Sequence, residues 1–242
     1  SAQWKDGRLV VTFFGADSDY VSGAVNEAAD SAPAQPEQTL PRAATGTGVT
    51  MTLTDAPAGP MTLQALYRAV SPSVVSVLST VEGQTGSGSG IIMTGDGYVL
   101  TNHHVISGAT AVRVETAGGE AYDAALVGSD AFSDLAVLKI EAEGLPAAVF
   151  GSSAGLQVGD QVAAIGDPMG VELRGTMTNG IISAINRDIV VEDRSMTLLQ
   201  TNAALNNGNS GGPLIDQYGR VIGINTMKLS SRYVSIEGLG FA

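Results

Sequence analysis

Ser210 stands in Gly208-Asn209-Ser210-Gly211-Gly212-Pro213, a serine set among glycines and closed by a proline. Glycine lacks a Cβ, so such a stretch can take turns closed to other residues and let a substrate approach closely. A serine in that turn can present its hydroxyl to a carbonyl carbon. The backbone amides of Gly208 and Ser210, with Asn209 between them, can then face the oxygen that becomes negative during attack. Plain Ser/Gly loops are also common, and a serine hydroxyl is inert without a base.

The chain offers two imidazoles, His103 and His104, adjacent in Leu100-Thr101-Asn102-His103-His104-Val105-Ile106. One of this pair is the only imidazole available to Ser210, and histidine titrates in the range a general base needs. A histidine at a strand end can equally be a satisfied structural residue. A third group should fix the imidazole tautomer and stabilise its charged form. Asp134 directly precedes the apolar run Leu135-Ala136-Val137-Leu138-Lys139-Ile140, which makes its carboxylate semi-buried and in need of a partner. Asp130, further out in the turn, reads as a solvated or turn-capping acid. The order His, Asp, Ser matches the chymotrypsin arrangement and not the subtilisin or α/β-hydrolase orders.

Elements must hold these groups together. The 242 residues are long enough for one large domain or two small ones. Glycine is abundant and aromatic residues are few, and about ten short apolar runs are bounded by Gly, Asp or Asn, from Val74–Leu78 to Arg220–Asn225. That pattern predicts an all-β sandwich or pair of barrels rather than α/β alternation. One short helix is expected, with Leu63, Leu66, Tyr67 and Val70 on one face, and Pro72 discourages its continuation.

Residues 1–22 contain a charged start and the strand-like run Leu9–Phe14, and residues 23–60 read as a low-complexity linker. Residues 61–242 hold every catalytic candidate. The net charge of −12, with no basic cluster, argues against nucleic-acid binding. Without cysteine, and with its two histidines side by side, the chain predicts no metal site and no cofactor. No run approaches the ~20 apolar residues of a membrane span. The absence of an initiator Met and of a signal peptide suggests a start within a longer protein or after processing.

Three separated segments resemble one family. Thr101-Asn102-His103-His104-Val105, Ser133-Asp134-Leu135-Ala136-Val137-Leu138-Lys139-Ile140 and Gly208-Asn209-Ser210-Gly211-Gly212-Pro213-Leu214 are similar to the HtrA (Deg-type) serine proteases. Gly86–Ile92, Ala164–Gly170 and Gly223–Thr226 support the match, which covers about residues 61–242. The resemblance selects His104 as base, with His103 as its variable neighbour, Asp134 as orienter and Ser210 as nucleophile. It implies a chymotrypsin-like double six-stranded antiparallel β-barrel, barrel one at about 61–145 and barrel two at about 146–242.

It further implies a serine endopeptidase acting on unfolded or misfolded polypeptides in quality control of the cell envelope. A homotrimer belongs to the same expectation, as do PDZ domains following the protease and an upstream membrane anchor, with the present chain expected to be the protease domain without either. The specificity pocket is expected at Ala204, Leu205, Thr226 and Leu229. It carries no carboxylate for Lys or Arg and favours Val, Ala or Leu before the scissile bond. Three positions depart from the family pattern: Asn202 for Asp, Asn207 for Pro, and Asp167 for Asn. A non-catalytic peptide-binding or chaperone module is the competing reading, against which the intact His, Asp and Ser argue.

Overall fold

The computed structural model describes residues 2–5, 8–11, 40–43, 49–57, 59–167, 174–191, 194–206, 208–228 and 239–242. Three short strands, β1 (Ala2–Lys5), β2 (Arg8–Val11) and β3 (Thr50–Thr52), form an antiparallel sheet. The expected strand at Leu9–Phe14 thus occupies Arg8–Val11, and Thr12, Phe13 and Phe14 lie outside the described residues. Part of the expected linker is packed. Leu40 is buried in a core cluster, the Ala43 amide donates to Leu126 O, and the Thr54 amide donates to Phe150 O.

Helix α1 (Leu63–Val70) starts where Thr62 Oγ1 accepts the Ala65 amide at 3.2 Å, and it gives way to a 3-10 turn at Ser71–Ser73. Pro72 cannot donate a backbone hydrogen bond, which fits that ending. Of the predicted face, Leu66 and Val70 are buried, whereas Leu63 and Tyr67 turn outward. An eight-residue helix on a sheet has contact area for one stripe only, and the wider face stays in water.

Six strands follow: β4 (Val74–Val81), β5 (Gln84–Ile92), β6 (Tyr98–Asn102), β7 (Ala111–Glu115), β8 (Ala121–Asp130) and β9 (Leu135–Ile140). They close into a barrel in the order β4-β5-β6-β9-β8-β7. The period of two decides which core each side chain enters. In β6, Val99 points into the barrel, while Tyr98 and Leu100 join the cluster shared with the second unit. In β9, Ala136, Leu138 and Ile140 face the barrel and Val137 faces the other way. Strands packed on both sides read as continuous apolar runs, and this is why Leu135–Ile140 shows no alternation.

The second unit comprises β10 (Gln161–Gly166), β11 (Thr176–Val191), β12 (Arg194–Thr201), β13 (Pro213–Asp216), β14 (Val221–Ile224), β15 (Met227–Lys228) and β16 (Gly240–Phe241). Among the described residues it is a seven-stranded sheet in the order β14-β13-β10-β11-β12-β16-β15, and with the closed barrel beside it the mostly-β chain has the expected chymotrypsin-like architecture. β11 pairs with β10 through Thr176–Ile181 and with β12 from Ile182 onward. Register shifts at Ile182/Ala184 and Ala184/Arg187 bend it between the two partners. Ala163, Ile165, Ile215 and Val221 of this sheet meet Val74, Ile91, Leu100 and Val137 of the barrel in one buried cluster. No helix of the described residues is long and apolar enough to cross a membrane, and none of their His, Asp and Glu gather as a metal site.

Candidate active site

The pairing of β6 with β9 sets Asn102 opposite Leu135. The chain continues from Asn102 into the single turn α2 (His103–Ile106), and Asp134 immediately precedes Leu135, so the imidazole and the carboxylate must be neighbours. Asp130 holds the intervening turn. Its carboxylate accepts the Phe132 amide at 3.0 Å, the Ser133 amide at 3.3 Å and the Ser133 hydroxyl at 2.8 Å. This is the turn-capping role expected of Asp130, and it leaves Asp134 free to project inward at φ 55°. One backbone and one side-chain donor then lock Asp134 from below: the His103 amide and Asn102 Nδ2 both donate to its carbonyl, at 3.0 and 2.9 Å.

Asp134 is 5% exposed, and its carboxylate accepts three hydrogen bonds. His104 Nδ1 lies 2.7 Å from Oδ2, the His104 amide donates to Oδ1 at 2.9 Å, and Thr226 Oγ1 donates to Oδ2 at 2.6 Å. Burial by itself would raise the pKa of this acid. The hydrogen bonds from His104 and Thr226, with the charge attraction of His104, outweigh it and hold the carboxyl below the usual carboxylate value. An anionic Asp134 places the proton of neutral His104 on Nδ1 and leaves Nε2 as the basic nitrogen.

Ser210 lies in the turn between β12 and β13, on the other unit, and barrel one fixes it. The Ser89 amide of β5 donates to Ser210 O at 2.8 Å, and Ser89 Oγ donates to Gly208 O at 2.6 Å. The Asn209 amide donates to Asn206 O, Asn209 O accepts from Gly212, and the Gly211 amide donates to Asn225 O. Two amides of this turn, those of Gly208 and Ser210, donate to no described residue. Asn209, expected to share in the cradle, has its own amide committed to Asn206. Gly211 adopts φ 86°, and a Cβ there would lie 2.1 Å from Ser89 O, so only glycine fits. The Ser210 hydroxyl donates to Thr226 O at 3.3 Å.

The expected pocket residues divide. Ala204 is exposed, with its carbonyl accepting from Thr178 Oγ1 at 2.9 Å. Leu205 points the opposite way, as extended backbone dictates, and is buried among Val162, Ala164, Ile182, Leu214 and Ile222. Its side chain is therefore core and not a pocket wall. Thr226 also enters differently from expectation, since its hydroxyl binds Asp134 and its carbonyl accepts from Ser210. Leu229 and Asn207 lie outside the described residues.

The two remaining departures have local partners. Asn202 Oδ1 accepts the Ile181 amide at 2.8 Å, a role that an aspartate oxygen could fill equally. Asp167 is buried, and its carboxylate accepts from Ser76 Oγ and from the Gly175 amide, with Arg174 Nε 3.9 Å away. Sequence reasoning missed two residues altogether, Ser89 and the Asp134-binding role of Thr226. Both lie in segments quoted for the resemblance, but neither carries a signal of what it binds.

The trypsin-like peptidase domain family matches residues 88–224. The Do-like serine protease HtrA of Bacillus subtilis is 43% identical over 172 residues, covering 68% of this chain and 38% of that protein. A probable periplasmic DegP-like serine endoprotease of Chlamydia trachomatis is 48% identical over 155 residues, 64% of this chain and 31% of that protein. Among solved structures, the HtrA-type protease AlgW with a tripeptide superposes with a TM-score of 0.69 at 41% identity, covering 75% of this chain and 59% of that one. The serine endoprotease from Yersinia pestis gives 0.64 at 41% identity, covering 76% and 62%. The chain spans well under half the length of these curated relatives. A match over more than half of its residues, within the unit that carries His104, Asp134 and Ser210, means that this chain belongs to the trypsin-like peptidase family, with HtrA/Deg-type serine proteases as its relatives.

Proposed function

We propose that this chain is the proteolytic part of an HtrA-type serine endopeptidase that cleaves unfolded or misfolded polypeptides outside the cytoplasm. The observation that carries the reading is the 2.7 Å contact between His104 Nδ1 and a buried Asp134 that stays anionic through three donors. His104 Nε2 takes the Ser210 proton as Oγ attacks the substrate carbonyl. The Gly208 and Ser210 amides hold the oxyanion, and His104 then protonates the leaving amine. Water repeats the cycle on the acyl-enzyme. The hydroxyl must first leave the Thr226 carbonyl, so a side-chain rotation at Ser210 precedes proton transfer.

Ala204, exposed at the expected base of the pocket, brings no carboxylate of its own to attract Lys or Arg, so cleavage follows small apolar residues. Three copies assemble, as the family resemblance implies, and the periplasmic description of the Chlamydia relative supports a place outside the cytoplasm. One experiment tests these points together. Casein and a peptide library are digested by the parent and by Ser210→Ala, with the native mass recorded. The parent alone should cleave, after Val, Ala or Leu, at a mass three times 24.6 kDa. Turnover by Ser210→Ala would overturn the mechanism, cleavage after Arg the pocket, and a mass of one copy the assembly.

A further inference from the structure

We infer that Ser89 is a positioning residue for the reaction, holding the peptide plane on which the oxyanion cradle depends. The inference rests on the reading of the Gly208 and Ser210 amides as oxyanion donors. Ser89 is fully buried, and all of its polar groups are engaged. Its amide donates to Ser210 O at 2.8 Å, and its carbonyl accepts from Thr101 Oγ1 at 2.7 Å. Its hydroxyl accepts from the Asp167 amide at 2.9 Å and donates to Gly208 O at 2.6 Å. A hydroxyl has one hydrogen. With the Asp167 amide aimed at the oxygen, that hydrogen is left for the Gly208 carbonyl alone.

The geometry of a planar peptide does the rest. In a trans peptide the C=O and the following N–H point in opposite directions. Anchoring Gly208 O on Ser89 and the Asn209 amide on Asn206 O fixes the Gly208–Asn209 plane from both sides. Anchoring Ser210 O on the Ser89 amide and the Gly211 amide on Asn225 O fixes the Ser210–Gly211 plane in the same way. One side chain and its own backbone thus hold the carbonyls of the two residues whose amides face the developing charge. Without the hydroxyl, the Gly208–Asn209 plane keeps its Asn206 anchor but can tilt, and because the Gly208 amide is joined to that plane through the Gly208 Cα, the aim of the amide shifts with the rotation there. Ser89 touches no substrate atom and acts only through this turn.

The test uses Ser89→Ala and Ser89→Cys, with Ser73→Ala as control. Ser73 is a buried serine whose hydroxyl donates to Val70 O at 2.8 Å, within its own turn, so its loss likewise removes one buried hydrogen bond. On a chromogenic peptide, Ser89→Ala should lower kcat about tenfold and leave KM within about twofold, because transition-state donors are mispositioned while ground-state contacts remain. A peptidyl aldehyde, whose hemiacetal oxygen occupies the same cradle, should bind about tenfold more weakly. The pH of half-maximal rate should not move, since His104 and Asp134 are untouched.

Ser89→Cys, a poorer donor of similar size, should fall between parent and Ser89→Ala. Amide exchange across 206–212 should quicken in Ser89→Ala and stay unchanged in Ser73→Ala. Unaltered kcat and aldehyde affinity in a folded Ser89→Ala would overturn the inference. So would an equal loss in Ser73→Ala, or a loss confined to KM. A parent without turnover would instead overturn the catalytic reading of Ser210, and the exchange comparison would still decide whether Ser89 orders the turn.

Discussion

Replacing Thr226 with valine should destabilise the fold in a way that depends on pH, and the structure supplies the size of the effect. The substitution keeps the shape and removes one donor, the 2.6 Å bond from Thr226 Oγ1 to Asp134 Oδ2. Asp134 is buried, so water does not replace the lost partner, and a hydrogen bond to a charged group is worth about 1.5–3 kcal/mol. Two donors from His104 remain, which places the expected loss near 2 kcal/mol, about a 30-fold change in the folded-to-unfolded ratio.

The pH dependence follows from the direction of the Asp134 shift. Its folded pKa lies below the ordinary value, so its stabilising contribution is complete above the unfolded pKa, about 3.9, and is lost as pH falls through the folded one. Thr226→Val raises the folded pKa back toward the ordinary range. The difference between the two proteins is therefore full at pH 7 and shrinks below about pH 4, where the unfolded carboxyl takes up its proton. Urea unfolding of both proteins at pH 7 and pH 3, with unchanged slopes, measures this. A loss below ~0.5 kcal/mol at pH 7, or one of equal size at the two pH values, would refute the assignment of Thr226 to the Asp134 charge.

Two further substitutions separate packing from specificity and strain. Leu205→Ala should cost about 2–5 kcal/mol by urea unfolding, because it empties part of a buried cluster, and should leave the library cleavage profile unchanged. An altered profile without that loss would return the Leu205 side chain to the pocket. Gly211→Ala sets a Cβ against the Ser89 carbonyl at a φ that L-residues rarely adopt, so the turn must move. Casein cleavage should fall at least a hundredfold; activity within a few-fold of the parent would show that the turn has room to adjust.

How much of the site can be read from the sequence depends on whether each signal is local. His104, Asp134 and Ser210 each sit in a short stretch whose residue types imply their chemistry, and strands such as Leu135–Ile140 show themselves by apolar content. The sequence also determines the tight turn at Ser210, since Gly208 and Gly211 supply the positive φ values it needs. Other features carry no such mark. The first two thirds of β5, Gln84–Ser89, is glycine and polar residues, and it becomes a strand only because β4 offers it a complete set of backbone partners.

Tertiary structure alone decided which groups meet. Ser89 and Gly208 are 119 residues apart, and Thr226 and Asp134 are 92 apart. No periodicity links such positions, and only the packing of the barrel on the second sheet brings them within hydrogen-bond distance. The same holds for Ala204 and Leu205, where composition allows either to line a pocket and the alternation of an extended chain lets one of the two face the core. The sequence determined which chemistry the chain can attempt, because that is a property of side chains. The fold decided which backbone planes are held still for it, because that depends on partners that only folding brings into contact.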